Sequence, residues 1–240
     1  MTETVLVTGG SSNIGWACAS RFTADYQVVV ADLRPPEGSP PDGITFVPCD
    51  VTDANACREA VSRAEEFGTL RAVVQSAGIT TSPKSVEATD PDEWRRVLDV
   101  NLTGAFLMAQ ASIPALRRSR GSMVMIASRA ARVGYAALNP SPTDGTKAHY
   151  CASKAGLLSL VRSLAIELAP DSVRVNAVVP GSIEGAMIPR ERWPELASRI
   201  PLGRLGTPRE IAEVVEFLCS DGARYVTGQG LDVNGGTWMN

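Results

Sequence analysis

The sequence predicts a single α/β domain, a doubly wound and mostly parallel sheet of about seven strands with helices on both faces. Three observations carry this expectation. Short β-branched runs alternate along the chain with longer segments of helical periodicity. The strand-like runs are nearly continuous apolar stretches, as a parallel sheet covered on both faces requires. No repeat and no internal linker divides the 240 residues, so one domain over 1–240 is expected.

Strands are expected at 4–8, 27–32, 44–50, 70–75, 122–127, 173–179 and 230–233. Helices are expected at about 13–24, 53–67, 91–118, 149–169 and 208–219. Parallel neighbours joined through helices imply right-handed crossovers. One connection is different. After Asp32 the chain reads LRPPEGSPPDG, and its four prolines leave no room for an ordinary helix before Ile44. The helices at about 91–118 and 149–169 carry apolar residues on most sides. A helix apolar all round must be buried all round, so a second copy is expected to cover them. The expected assembly is a homo-oligomer, a dimer of dimers (homotetramer), built on those two helices.

Composition narrows the function. Apolar residues make up 44% and charged residues 20%, enough for a sizeable core. The 23 basic and 26 acidic residues are interspersed, for a net charge of −3. With no basic run, neither nucleic acid nor a membrane surface is an expected partner. Cys18, Cys49, Cys57, Cys151 and Cys219 form no CxxC pair, and His149 stands alone, so no metal site is expected. Reduced thiols, no leader-like N-terminus and no apolar run of bilayer length together suggest a cytoplasmic protein.

The stretch VTGGSSNIGWA, from Val7, joins an apolar strand to a helix. Such a strand–loop–helix suits a pyrophosphate. Small residues allow close backbone approach, and the helix N-terminus offers free N–H groups and partial positive charge. Gly9 and Gly15 stand where a dinucleotide loop wants glycine, with Asn13 between them. Asparagine tolerates left-handed backbone better than most residues. Ser11 and Ser12 can donate to phosphate oxygens. Asp32 ends the next strand, 17 residues past Gly15, near the spacing of an acid that binds adenosine ribose hydroxyls. Its carboxylate repels a 2′-phosphate, and Ser12 is neutral where a basic residue would hold one. NAD is therefore expected over NADP, with Arg34 able to soften the preference.

YCASK opens the apolar helix near 149. Tyr150 and Lys154, at i and i+4, share a helical face. A lysine cation beside a phenol favours the phenolate, which makes tyrosine a usable acid/base nearer neutral pH.

Taken together, these pieces resemble the short-chain dehydrogenase/reductase family, over essentially the whole chain. TGGSSNIG matches its glycine loop, placing Gly9, Ser11, Ser12, Asn13, Ile14 and Gly15 against the cofactor, and Asp32 with Leu33 follows. CDVTD carries Asp50, which in the family contacts adenine, and Val51. QSAG supplies Ser76, Ala77 and Gly78 where the family has NNAG. VNLTGAF carries Asn101, MIAS carries Ser128, VVPGSI carries Pro180, Gly181 and Ile183, and TGQGLDVNGG matches the last strand. The resemblance implies a Rossmann-type fold and hydride transfer between a nicotinamide cofactor and a small-molecule substrate, interconverting secondary alcohol and ketone. It implies that Tyr150 exchanges the proton, Ser128 orients the substrate oxygen, Lys154 lowers the tyrosine pKa and holds the nicotinamide ribose, and Asn101 holds a relay water. Sugars or polyols, hydroxy acids and 3-oxoacyl compounds are all compatible.

Several positions depart from the family's pattern. Asn13 replaces a glycine, Gln75 and Ser76 replace two asparagines, and Gly185 stands where a threonine often binds the carboxamide. Ser182, or backbone near Ile183, is an alternative for that contact. The segment at about 129–149 is longer than usual and brings Tyr135, Asn139, Ser141, Asp144 and His149 near the expected pocket, with Ser141 an alternative to Ser128. His149 reads as packed or exposed, not catalytic. A substrate lid is expected at about 182–206, where Arg190, Arg192 and Trp193 read first as lid surface and second as substrate contacts. The competing reading is an NAD(H)-binding regulatory or scaffold protein that keeps the fold. The complete Asn101–Ser128–Tyr150–Lys154 set argues against it.

Overall fold

The structure, a computed structural model, describes residues 2–134 and 145–239. Seven strands form one sheet: β1 (Glu3–Thr8), β2 (Gln27–Asp32), β3 (Ile44–Pro48), β4 (Thr69–Gln75), β5 (Ser122–Ile126), β6 (Arg174–Pro180) and β7 (Gly230–Val233). Their order is β3-β2-β1-β4-β5-β6-β7, and every pairing is parallel. The chain starts mid-sheet, builds outward through β3, then returns to β4 and builds the other way. The direction reverses between β1 and β4. In such sheets ligands bind beyond the carboxyl ends of the strands at that point.

The main helices are α1 (Asn13–Phe22), α2 (Ala54–Phe67), α3 (Pro91–Leu98), α4 (Gly104–Ser119), α6 (Ala148–Leu168) and α8 (Pro208–Cys219); α5 (Ala130–Val133) and α7 (Trp193–Ala197) are short. Both faces of the sheet are buried, which is why the strands read as unbroken apolar runs. Along β1, Val5 and Val7 face the layer holding α1 and α8 with Phe22, Ile211 and Val215. Leu6 faces the opposite layer, with Leu116 of α4 and Leu157 of α6. All three β1 side chains are fully buried, so successive residues serve two cores.

The helix expected at 91–118 is α3 and α4 joined by a π-helical turn, Asp99–Thr103. That turn carries Asn101. Local widening of this kind is common at functional sites. Residues 33–43 form no helix, as their prolines require. Tyr135, Asn139, Ser141 and Asp144 lie outside the described residues. No helix among the described residues is long and apolar enough to cross a membrane. On the outer layer Phe106 of α4 and Ile166 of α6 remain exposed, by 46% and 79%.

Candidate active site

The glycine loop is a steric necessity before it is anything else. Gly9 has φ +63°, and a Cβ there would lie 2.6 Å from the backbone of Ala77. At Gly15 a Cβ would lie 2.0 Å from the Gly9 carbonyl oxygen. The loop is thus folded tightly onto itself and onto the end of β4. Asn13 takes φ +45° in this turn. Ser12, the N-cap of helix α1, makes no side-chain cap, and the first turn of α1 holds no acid. Elsewhere Asp53, Asp90 and Thr207 cap α2, α3 and α8. The N-terminus of α1 keeps the free N–H groups an anion can use. Asp32 braces the loop: its carboxylate accepts from the backbone N–H of Ser11 at 3.1 Å and of Leu33 at 2.7 Å.

The YxxxK pair sits in the first turns of α6. Lys154 is fully buried, donates to the Ile126 carbonyl at 2.7 Å, and lies 5.9 Å from the centre of the Tyr150 ring. Burial lowers its pKa from 10.5 to about 8. Ser128 follows β5 by two residues, and its hydroxyl accepts from the N–H of Ala130 at 3.1 Å. Asn101 is pinned from three sides: it exchanges bonds with the Ile79 backbone at 2.7 and 2.9 Å and donates to Ser153 Oγ at 3.1 Å. A Cβ on Gly78 would come within 3.3 Å of both Asn101 Oδ1 and Lys154 Nζ, so this glycine lets the two polar groups approach.

These residues border one cavity of about 970 Å³, at the upper end of the usual range for ligand pockets. It runs from Asp32, Leu33, Asp50 and Val51 across Gly9, Ser12, Asn13 and Ile14 to Ser128, Tyr150 and Lys154. Ser76, Ala77, Gly78, Pro180, Gly181 and Ile183 also border it. Ser11 and Gly15 stand outside its wall. The Ser11 hydroxyl donates to the Arg34 carbonyl at 2.6 Å instead of facing a phosphate, and Gly15 is packed behind Gly9. Asn101 lies behind Gly78, beside a separate void of about 10 Å³ that also touches Gln75. Gln75 is buried, donates to the Met123 sulfur at 3.2 Å, and leaves its own carbonyl oxygen unpaired.

Sequence reasoning passed over Lys147, Met187, Ile188 and Leu196 in the wall, while Arg192 was read first as lid surface and second as a substrate contact. Lys147 and Arg192 reach the end near Tyr150, where burial and then the Arg192 charge lower the Lys147 pKa. Lys147 is the N-cap of α6, three residues before Tyr150 and outside the YxxxK pattern. Met187, Ile188 and Leu196 add apolar surface from the 182–206 segment. That segment has its own small core of Leu196, Ile200 and Leu205 with Trp193 packed on it. Its ends are stitched together, Glu184 N–H to the Gly206 carbonyl at 2.9 Å and Gly206 N–H to the Ser182 carbonyl at 3.0 Å. Arg190 stacks over Trp193, while Arg192 borders the cavity. His149 is buried. Its Nδ1 accepts the Tyr150 N–H at 2.9 Å, and Nε2 meets Thr81 Oγ at 2.8 Å and Glu93 at 3.1 Å. It is packed, not aimed at the cavity.

Comparison with known proteins decides the family. A family model described as enoyl-(acyl carrier protein) reductase matches residues 9–237. The 3-oxoacyl-(acyl-carrier-protein) reductase MabA of Mycobacterium tuberculosis is 37% identical, over 100% of this chain and 94% of that protein. The chain belongs to the short-chain dehydrogenase/reductase family. Trans-4-hydroxycyclohexanecarboxylate dehydrogenase of Sinomonas cyclohexanicum is 36% identical, over 98% of this chain and 92% of its own length. Ligand-free aldohexose dehydrogenase of Thermoplasma acidophilum superposes with a TM-score of 0.86 at 30% identity, covering 98% and 94% of the two chains. This short-chain dehydrogenase/reductase is an oxidoreductase of CH–OH and keto groups, and its family binds a nicotinamide cofactor. The cavity fits such a group: α1 has an uncapped N-terminus, and Asn13 Oδ1, on a residue of its wall, is buried with no partner.

Proposed function

We propose that this enzyme interconverts a secondary alcohol and a ketone on a small or polar substrate, with NAD(H) preferred over NADP(H). The observation that carries the chemistry is the buried Lys154 ammonium, 5.9 Å from the centre of the Tyr150 ring, in a cavity that also holds Ser128. The Tyr150 oxygen exchanges a proton with the substrate oxygen. Lys154 stabilises the phenolate by its charge. The Ser128 hydroxyl donates to the same substrate oxygen as negative charge grows there, a donor fixed before reaction. Asn101, fixed by Ile79 and Ser153, would hold a relay water through the remaining lone pair of its Oδ1. The nicotinamide, when bound, supplies or accepts the hydride.

Ser12 and the N–H groups opening α1 would hold the pyrophosphate, Asp32 the adenosine ribose, and Asp50 with Val51 the adenine. Pro180, Gly181 and Ile183 would close over the nicotinamide. The preference for NAD rests on Asp32, whose carboxylate sits at the cavity edge and repels an added phosphate. The 182–206 segment acts as a lid, moving as a unit on its stitched base. The substrate lies beside Lys147 and Arg192, with Met187 and Ile188 excluding water. Two copies pack through the helices at about 91–118 (α3 and α4) and 149–169 (α6), and two such pairs form the tetramer, in the cytoplasm.

Turnover of NAD and NADP across small alcohols, sugars and hydroxy acids tests this reading, with Tyr150→Phe as control. NAD turnover is expected to exceed NADP turnover. The variant is expected to lose about 100-fold or more in rate while still binding NADH. Equal loss of binding and rate would remove Tyr150 from the acid/base role.

A further inference from the structure

Asn13 and Gly185 meet across the cavity wall, one from the nucleotide loop and the other from the base of the 182–206 segment. A Cβ built on Gly185 would lie 2.0 Å from Asn13 Nδ2 and 2.8 Å from Asn13 Cγ. The asparagine amide therefore fills the volume that a side chain at 185 would take. Gly185 itself has φ +148°, a conformation that L side chains rarely adopt. The amide is also incomplete. Asn13 borders the cavity, yet its Oδ1 is buried with no hydrogen-bond partner, and buried polar atoms are rarely left so.

An orphaned acceptor calls for a donor. Pyrophosphate oxygens only accept, whereas the carboxamide and the ribose hydroxyls both donate and accept, and ADP-ribose, which keeps the riboses, separates the two. If the Asn13 amide is turned over, exchanging its oxygen and nitrogen, a carboxamide still satisfies it.

We propose that Asn13 and Gly185 are a reciprocal pair, in which the Asn13 amide occupies the space of a side chain at 185 and hydrogen-bonds the carboxamide of the nicotinamide. This rests on the nicotinamide cofactor lying in the cavity. Asn13 is thereby a positioning residue for the face of the ring that reacts.

The test is equilibrium binding to the full chain, with NADH followed by fluorescence and ADP-ribose by calorimetry. ADP-ribose keeps the pyrophosphate and lacks the nicotinamide. The proteins are the wild type, Asn13→Gly, Gly185→Ala and the double variant. Asn13→Gly is expected to weaken NADH about tenfold and to leave ADP-ribose within about twofold. Gly185→Ala is expected to weaken NADH about tenfold in the wild type, by displacing the amide, but less than about threefold in Asn13→Gly. Backbone strain at 185 is common to both backgrounds and cancels in the cycle. Unchanged ADP-ribose binding also reports that each variant is folded. Equal weakening of both ligands by Asn13→Gly would make Asn13 a phosphate or ribose contact and overturn the proposal. So would additive effects, or no effect of Asn13→Gly on NADH. A wild type that binds neither NADH nor NADPH would overturn the cofactor reading itself, a result separate from any of these.

Discussion

The Lys154 ammonium has been taken wholly out of water, and burial alone pulls its pKa from 10.5 to about 8. At pH 7 it is still charged, so the fold carries a buried cation at a cost of about 3 kcal/mol. The sign follows from proton counts. Below pH 8 both folded and unfolded chains hold the proton. Between about 8 and 10.5 the unfolded chain holds more, so this residue adds stability as pH rises through that window. Wild type should therefore gain stability relative to Lys154→Met between pH 8 and 10.5, as measured by urea unfolding at each pH. The charge that favours the Tyr150 phenolate disappears over the same range. We expect a limb near pH 8 in the kcat/KM profile, absent from the residual activity of Lys154→Met. The Tyr–Lys spacing was legible in YCASK. The Ile126 carbonyl that receives the ammonium was not, because it comes from β5, 28 residues away.

At the scale of elements, the start of α3 and the start of α6 are joined through Glu93. Its carboxylate binds Lys84, accepts from Thr81 Oγ at 2.6 Å and meets His149 Nε2 at 3.1 Å. His149 in turn accepts the Tyr150 N–H in the first turn of α6. The chain of contacts thus runs from α3 to the helix turn that carries Tyr150. Lys84 first, then Thr81 and His149, hold the Glu93 pKa down at about 2 against an ordinary 4.5. For a depressed acid, the stabilising share is complete above pH 4.5 and is lost as pH falls through about 2. Glu93→Gln keeps the shape and removes the charge. Its acid unfolding curve is expected to be flatter than wild type between those values, and its kcat to fall more than its KM rises. Most element positions were legible from periodicity, including the irregular 33–43 connection that four prolines impose. The π turn inside the 91–118 helix was not. Inserting one residue into a helical turn leaves the local apolar pattern nearly intact, and only the surrounding packing stabilises it.

For the whole molecule, the outer faces of α4 and α6 leave Phe106 and Ile166 in solvent in a single copy. Placing a charge there should split the proposed assembly. Phe106→Glu with Ile166→Glu is expected to yield a smaller species by light scattering, with the single-copy fold retained by circular dichroism. An unchanged mass would move the interface elsewhere. The sequence by itself determined the alternation of strands and helices, the glycine loop, the acid ending β2 and the Tyr150–Lys154 pair. Each is written in residues a few positions apart, where periodicity and backbone sterics act. Only the tertiary structure decided that Asn13 meets Gly185, that Ser11 turns to Arg34, and that Lys147 and Arg192 share the end of the cavity near Tyr150. Those meetings depend on how the sheet brings distant loops to one edge, and no local pattern carries that information.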